Sequence, residues 1–194
     1  MNTFAGLPLW VWVLFAVAAI AALTYVAVRQ LRLHRARRAI DNLIGSVAYD
    51  VLKNVLLPAG TGEQIHVNYL LLTQRGLLVV DLFDVPGMVF AGEKMEQWSV
   101  FGPDRHFTLS NPLPLLYDRV AAVRAVAGDV AVDGRIIFSM RGEWPCGRPE
   151  SGLRLETLQD EFPVVDRSGG ATAAAFAPVW ERIKQTAQPN PLAG

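Results

Sequence analysis

The sequence predicts an α/β protein: a mixed sheet flanked by helices, preceded by one N-terminal transmembrane helix. Three observations lead to this class. The residues from Leu7 to Val28 carry no charge. The stretch Gln64–Gly87 contains two apolar runs separated by a short polar turn, which is the pattern of a β-hairpin. Helical and strand patterns then alternate to the end of the chain, as in mixed α/β folds.

The charge is unevenly distributed, although the chain of 194 residues has a formal net charge of zero. Residues 1–38 contain five arginines and no acidic residue, which leaves 13 basic against 18 acidic residues, a net charge of −5, for the rest. An acidic domain lacks the basic footprint of nucleic-acid-binding proteins, so nucleic acid is allowed but not favoured as a partner. Cys146 is the only cysteine, which excludes an intrachain disulfide and fits a reducing compartment.

The segment 1–28 is predicted to be a membrane anchor. A helix from Leu7 to Val28 is about 33 Å long at 1.5 Å per residue, close to the thickness of a bilayer core. A cleaved signal peptide is the alternative, but the first six residues contain no Lys or Arg and the apolar run exceeds the usual length of an h-region.

Five arginines follow the apolar run directly: Arg29, Arg32, Arg35, Arg37 and Arg38. By the positive-inside rule this flank stays in the cytoplasm. The sequence therefore predicts a single-pass protein of the inner (cytoplasmic) membrane, with its N-terminus outside and its domain in the cytoplasm. Contacts with membrane lipid are expected through Leu7–Val28 and through the Arg29–Arg38 cluster, where anionic headgroups are favoured over DNA so close to the bilayer.

Residues 29–54 are predicted to form a basic juxtamembrane region and a linking helix. The apolar residues of this segment recur at a period near 3.6: Leu31, Ala36, Ile40, Leu43, Ile44, Val47, Val51 and Leu52. Residues 56–58 are expected to end the helix, and residues 59–63 to turn into the hairpin. The domain proper is placed at residues 55–165, and a C-terminal helix and tail at 166–194.

The hairpin is the centre of the predicted sheet. Residues 65–72 form its first strand, Leu77–Leu82 its second, and Gly76 in the turn is expected to have a positive φ. The second strand is nearly continuously apolar, so both of its faces are expected to be covered. It nevertheless carries Asp81, and a carboxylate in a buried strand requires a partner or a function.

The elements after the hairpin alternate between strands and helices. Strands are predicted at residues 88–91, 98–101, 105–109 and 130–140, with a turn at 102–104. A helix begins after Ser110–Pro112, and its apolar face contains Leu113, Leu116, Val120, Val123 and Val126. A loop at 144–152, a short helix at 155–162 and an alanine-rich helix at 171–184 complete the chain.

At this level of detail the sequence resembles the nuclease-related domain (NERD) family, a branch of the restriction-endonuclease-like PD-(D/E)xK fold. The matching pieces are Gly45, Val55–Pro58, the TQRG turn before VVD, Gly87, Trp98, Ser110–Leu113 and Gly134–Ser139. Together they cover about residues 40–162, and the resemblance implies a mixed restriction-endonuclease-like sheet. An unrelated α/β domain with similar strand spacing is the alternative.

The resemblance also implies a catalytic site of two carboxylates that hold Mg²⁺ and a lysine that orients the attacking water. In this sequence the first acidic position falls on Asn68, the second on Asp81 and the lysine on Phe83. The glutamate expected after the helix glycine falls on Ser46, and the glutamine expected after the Asn-Pro helix start falls on Leu115. Of these positions only Asp81 keeps the family's residue.

A repaired metal site is a second interpretation of the same residues. His66 lies two residues before Asn68, so strand alternation places the two on one face, and Asp84 directly follows Phe83. A His66/Asp81/Asp84 set could then bind metal, although a structural histidine and a turn-forming aspartate are the simpler interpretations. No cofactor is expected, with Mg²⁺ expected only if the site is active.

Two functional hypotheses follow. The first is a membrane-anchored, catalytically inactive NERD-like protein that serves as an interaction or nucleic-acid-associated module at the cytoplasmic membrane face, with a protein partner. The second is a metal-dependent nuclease that hydrolyses DNA or RNA phosphodiesters through the repaired site. The missing lysine and the acidic charge favour the first, because a resemblance in fold does not by itself establish an activity.

Overall fold

The computed structural model describes residues 8–60, 62–85, 87–102, 105–138, 142–166 and 170–191. Its elements confirm the predicted α/β class. In chain order they are α1 (Leu9–Ser46), β1 (Asp50–Pro58), β2 (Gln64–Thr73), β3 (Gly76–Phe83), β4 (Gly87–Phe90), β5 (Gln97–Phe101), β6 (His106–Ser110), α2 (Leu113–Ala127), β7 (Val132–Phe138), β8 (Gly142–Glu143), β9 (Gly152–Arg154), a 3₁₀ turn (Leu155–Thr157), α3 (Leu158–Glu161), α4 (Ala171–Thr186) and β10 (Gln188–Pro189).

Three sequence predictions fall partly outside the described residues. They are the start of the apolar run at Leu7, the turn at Pro103 and Asp104, and the strand end at Ser139 and Met140. The described chain divides into two compact units between Asp41 and Asn42.

The first unit contains most of α1, whose apolar side chains are exposed. Trp10, Phe15, Leu23 and Tyr25 are each between 64% and 71% exposed. Such exposure is unfavourable in water and favourable in lipid. The segment Trp12–Ser46 is long and apolar enough to cross a membrane, and no other helix among the described residues meets that criterion. The predicted N-terminal apolar helix is therefore confirmed.

The helix ends earlier than predicted. α1 stops at Ser46, and residues 50–54, which were assigned to the linking helix, begin strand β1. β1 pairs antiparallel with β2 from Asp50 opposite Leu72 to Pro58 opposite Gln64. The central strand β2 needs a hydrogen-bonding partner on each edge, and this non-local pairing prevails over the local helical period.

A six-stranded sheet carries the fold, in the order β10-β1-β2-β3-β7-β9. The hairpin β2–β3 lies at its centre, as predicted, and Gly76 in the turn has φ 118°. A side chain at Gly76 would collide with the carbonyl oxygen of Ala131, so the close approach of backbone also requires glycine there. Neighbouring strands from β10 to β3 are antiparallel, whereas β7 runs parallel to β3 and β9 parallel to β7. The sheet is thus mixed.

A smaller sheet is built mainly from the connection between β3 and β7, which supplies β4, β5 and β6, whereas β8 comes after β7. Its four strands lie in the order β6-β5-β4-β8. The predicted strands at 88–91, 98–101 and 105–109 correspond to β4, β5 and β6. Trp98 is fully buried on β5, and its Nε1 donates a hydrogen bond to the carbonyl of Gly92 over 3.1 Å. Trp98 belongs to the same apolar core as the hairpin, so its burial connects the smaller sheet to that core, while the hydrogen bond lies within the β4–β5 connection.

Helix α2 covers one face of the large sheet. Asn111 Oδ1 accepts a hydrogen bond from the backbone N–H of Leu113 at 2.9 Å, which satisfies a donor of the first turn. The predicted apolar face is confirmed, since Leu113, Leu116, Val120 and Val123 are all buried. A Cβ on Gly134 of β7 would lie 2.7 Å from Val120 Cγ2. Helix and sheet are therefore in close contact at this point.

The second compact unit extends beyond both boundaries predicted for the domain. It begins at Asn42 instead of residue 55, and Ile44 of α1 and Val47, which follows the end of that helix, are fully buried. Trp180 and Ile183 of α4 belong to the same apolar core as the hairpin. β10 adds an edge strand to the large sheet.

Candidate functional site

The candidate site lies at the carboxyl ends of the parallel strands β3 and β7. Asp81 stands opposite Ile136 and Phe83 opposite Phe138 in the register of these strands. In open α/β sheets, ligands characteristically bind outside this end of the strands. Asp81 is 0% exposed and is the only charged residue that is fully buried among the described residues. The carboxylate that the sequence singled out therefore lies at the place where a site is expected.

Arg119 of α2 is the partner of Asp81. Its Nη1 donates a hydrogen bond to Asp81 Oδ2 within an ion pair, and its Nε donates to the backbone carbonyl of His66 at 2.5 Å. Only 11% of the Arg119 side chain and 1% of the Asp81 side chain are exposed. A guanidinium can satisfy two acceptors at once because its donors are held in a rigid fork. Arg119 thus links α2 to both strands of the hairpin.

The electrostatics of Asp81 and His66 reflect their burial. Burial raises the pKa of the Asp81 carboxyl above its ordinary 3.8, while the charge and the hydrogen bond of Arg119 act in the opposite direction. Burial and the nearby Arg119 charge lower the pKa of His66 below 6.5, and Asp81 partly offsets this. His66 is therefore held neutral by its surroundings.

Two buried polar atoms of this group lack a hydrogen-bond partner within the described chain. They are Asp81 Oδ1 and His66 Nε2. A buried carboxylate oxygen without a donor and a ring nitrogen without a partner are both unfavourable. The contact with Arg119 therefore satisfies Asp81 Oδ2 but leaves Asp81 Oδ1 and His66 Nε2 without a hydrogen-bond partner in the described chain.

Phe83 occupies the lysine position and packs among aromatic rings. Its ring stacks on that of Phe138 at 5.6 Å between centroids and an interplanar angle of 17°. Phe138 in turn meets Trp144 edge-on at 4.5 Å and Trp98 at 6.3 Å. Offset stacking and edge-to-face contacts are the favourable geometries for such rings. The position that would carry a cation is part of an apolar aromatic cluster.

Asn68 lies half-buried on β2 where the strand pairing is interrupted. The ladder between β2 and β3 runs from the turn as far as Tyr69 opposite Val80 and does not include Asn68, the residue that precedes Tyr69. On its other side β1 pairs at Lys53 and at Val55 but not between them, and Asn54 has φ 51°. An irregularity of this kind is a common way to reorient a side chain in a sheet.

The two remaining positions of the family motif, Ser46 and Leu115, carry neither a carboxylate nor an amide that could be directed at Asp81. Ser46 ends α1, where its Oγ donates to the carbonyl of Leu43 at 2.7 Å and accepts from Gln159 Nε2 at 3.0 Å. Leu115 is 46% exposed on α2. Neither supplies an oxygen ligand to the site.

The proposed metal set His66/Asp81/Asp84 does not assemble. Within the part of the chain that the structure describes, no three His, Cys, Asp or Glu side chains are close enough to share a metal ion. β3 ends at Phe83, and Asp84 follows it with an exposed side chain, whereas Asp81 is fully buried.

Arg119 was missed by the sequence interpretation. It directly precedes Val120, which lies on the apolar face of α2. The sequence therefore contained an arginine next to a face that was expected to be buried. A buried carboxylate needs a cation, a metal or several donors, and this arginine was a candidate. Arg119 and Asp81 are 38 positions apart in the sequence, so no local pattern could indicate that their side chains pair.

Magnesium, which the restriction-endonuclease-like fold implies, does not fit these residues. Mg²⁺ requires near-octahedral oxygen ligands and usually more than one charged group. The site offers one carboxylate, and one oxygen of that carboxylate is already bound to a guanidinium. Asn68 and Phe83 supply no charge. No metal-dependent step is therefore assigned to this site.

These features define the class of the protein: an α/β domain organised around a central hairpin, with a buried carboxylate at the end of a strand that pairs in parallel with β7. The sequence comparison is more specific. Residues 27–139 match the profile of the nuclease-related domain family, NERD, over more than half of the chain. The chain belongs to this family. No curated protein and no solved structure shows significant similarity to it.

Proposed function

We propose that this chain is a membrane-anchored member of the nuclease-related domain family, that its domain is catalytically inactive, and that it acts as an interaction or nucleic-acid-associated module at the cytoplasmic face of the membrane. The observation that carries the proposal is the packing of Phe83 at the lysine position. Its ring stacks on Phe138 inside an aromatic cluster. A phenyl ring can neither orient a water nor neutralise the charge that develops on a phosphate.

The membrane anchor is supported by α1. Its apolar segment meets the length and composition of a membrane span and is not buried by the protein. The arginines Arg29, Arg32, Arg35, Arg37 and Arg38 follow, and they favour a cytoplasmic position for everything after them. The same cluster binds anionic lipid headgroups, since each basic residue near the surface adds about 1 kcal/mol.

The partner is better described as a protein than as a nucleic acid. Beyond residue 38 the chain has 13 basic and 18 acidic residues. A net negative charge repels a polyanion at long range, and association with nucleic acid relies mainly on contacts with phosphates. A nucleic acid would therefore have to approach a locally basic part of the surface.

Cleavage of plasmid DNA by the full-length chain in lipid nanodiscs tests the proposal. With Mg²⁺ or Mn²⁺ present we expect no cleavage above that of an Asp81→Asn variant, which serves as the matched control because it removes the one retained carboxylate. An RNA substrate is tested in the same way. Metal-dependent cleavage by the wild-type chain that disappears in Asp81→Asn would overturn the proposal.

A metal-dependent nuclease with a repaired site is the second candidate. The observation that favours it is that Asp81 Oδ1 and His66 Nε2, two buried atoms that could both serve as ligands, have no hydrogen-bond partner among the residues that the structure describes. This candidate predicts that His66→Gln lowers cleavage as strongly as Asp81→Asn does. Cleavage that is insensitive to both substitutions would indicate a contaminating nuclease.

A further inference from the structure

A positive charge lies against the one carboxylate that the candidate site retains, and it comes from the chain itself. The guanidinium of Arg119 is paired with Asp81 Oδ2 and is also held by the carbonyl of His66. Both charged groups are almost completely withdrawn from solvent. A buried ion pair of this kind loses much stability when either partner is removed, because the other charge is then left uncompensated.

The position of this cation is informative. Asp81 is the family position that would hold a metal ion, and a metal ion in such a site neutralises a carboxylate at the end of a buried strand. The guanidinium of Arg119 on α2 supplies the same neutralisation. Unlike a metal ion, it is covalently attached to the chain and cannot leave the site. Asn68 and Phe83, which carry no charge, need no such compensation.

We propose that Arg119 is the resident cation of this site, taking the place of the metal ion, and that it makes the folded domain independent of metal. This inference rests on the proposed function and deepens it, because it names the residue that permits the loss of the metal. Removal of the guanidinium should leave Asp81 and His66 as two open ligands. Carboxylate oxygen and imidazole nitrogen together suit Mn²⁺, which accepts both.

Thermal unfolding of the full-length chain in nanodiscs, with and without millimolar Mn²⁺, tests this inference. The wild-type midpoint should be the same in both conditions. Arg119→Gln should unfold at a lower temperature, and Mn²⁺ should raise its midpoint by about 3 °C, the shift given by a ligand present at several times its Kd. The double variant Asp81→Asn/Arg119→Gln should be more stable than Arg119→Gln and should not respond to Mn²⁺.

Arg124→Gln is the matched control. Arg124 lies on the same helix, is exposed, and donates to the carbonyl of Val132 at 2.9 Å. Its substitution should produce no response to Mn²⁺. If Arg119→Gln does not fold alone, the inference requires that Mn²⁺ restores its near-UV circular dichroism.

Two results would overturn the inference. One is a folded Arg119→Gln variant that is as insensitive to Mn²⁺ as the wild type, or an unfolded one that Mn²⁺ does not restore. The other is an Asp81-dependent response of the wild-type chain to Mn²⁺. Either result leaves the proposed function standing as long as the wild type does not cleave nucleic acid, so the two failures are distinguishable.

Discussion

At the residue scale, Phe83 places an aromatic ring where the family resemblance implies a lysine. Its ring stacks on Phe138, and Phe138 contacts two tryptophans. A lysine at this position would bring an ammonium group against apolar ring faces without a paired acid. Asp81, two residues earlier, already has Arg119 as its partner. The ring therefore contributes aromatic packing at the position where the family resemblance implies a lysine.

Phe83→Lys should lower the free energy of unfolding by about 1–3 kcal/mol, because it buries a charge and removes a stacked pair. Urea unfolding of the full-length chain in micelles measures this. Leu115→Lys is the control, since Leu115 is 46% exposed on α2 and its substitution should cost less than about 1 kcal/mol. Equal costs for both variants would show that the Phe83 environment is not specifically apolar.

His66 gives the domain a pH dependence whose sign follows from its lowered pKa. Below pH 6.5 the unfolded chain binds a proton at His66 that the folded chain resists, so stability should be greatest above pH 6.5 and fall as the pH drops towards the folded pKa. The contribution of Asp81 to the pH dependence of stability has the opposite sign. Its raised pKa makes the folded state bind more protons than the unfolded state above pH 3.8.

The contribution of His66 is isolated by comparison with His66→Gln. Urea unfolding between about pH 7 and pH 5 should give a smaller loss of stability in this variant than in the wild type. Identical slopes for the wild type and His66→Gln would contradict the neutral, buried environment assigned to His66.

Helix α4 shows at the element scale that the domain continues beyond the family match, which ends at residue 139. Trp180 is 3% exposed in the central core, and its Nε1 donates to Asp50 Oδ2 of β1 at 2.8 Å. Ile183 is fully buried. The C-terminal helix therefore stabilises the first strand of the sheet.

Trp180→Ala should destabilise the domain by about 3–5 kcal/mol, since it removes a large buried side chain and a hydrogen bond. The midpoint of chemical unfolding measures the loss. Tyr117→Ala on α2 is the control, because Tyr117 is 52% exposed and should change stability by less than about 0.5 kcal/mol. A Trp180→Ala variant as stable as the control would mean that α4 is dispensable.

The elements that were predicted correctly are those in which a short stretch of sequence has a recognisable apolar pattern or turn. The hairpin β2–β3 combined apolar runs with a glycine turn, and the buried face of α2 repeated at a helical period. β1 was misassigned because its residues also fit a helical period and its partner β2 is recognised only in three dimensions. β9 and β10 contain three and two residues, too few for any pattern. The pairing of Arg119 with Asp81 depends on the packing of α2 over the sheet and has no local signature.

The whole molecule combines an apolar, then basic, N-terminal helix with an acidic α/β domain. The positive-inside rule predicts that the arginines after the apolar segment keep the domain on the cytoplasmic side. A reporter fused after Gly194 should be active only as a cytoplasmic reporter. Changing Arg35, Arg37 and Arg38 to glutamate should weaken this orientation, because the rule counts positive charges close to the end of the span. Activity of an extracytoplasmic reporter fused to the wild-type chain would contradict the topology.

The central claim is that this member of the nuclease-related domain family has lost the metal chemistry of its fold. Calorimetric titration of Mg²⁺ into the full-length chain in nanodiscs tests the claim most directly, with empty nanodiscs subtracted. We predict no binding heat for the wild-type domain, because one carboxylate paired with Arg119 cannot offset the dehydration of the ion. Saturable Mg²⁺ binding that is abolished by Asp81→Asn would contradict the account.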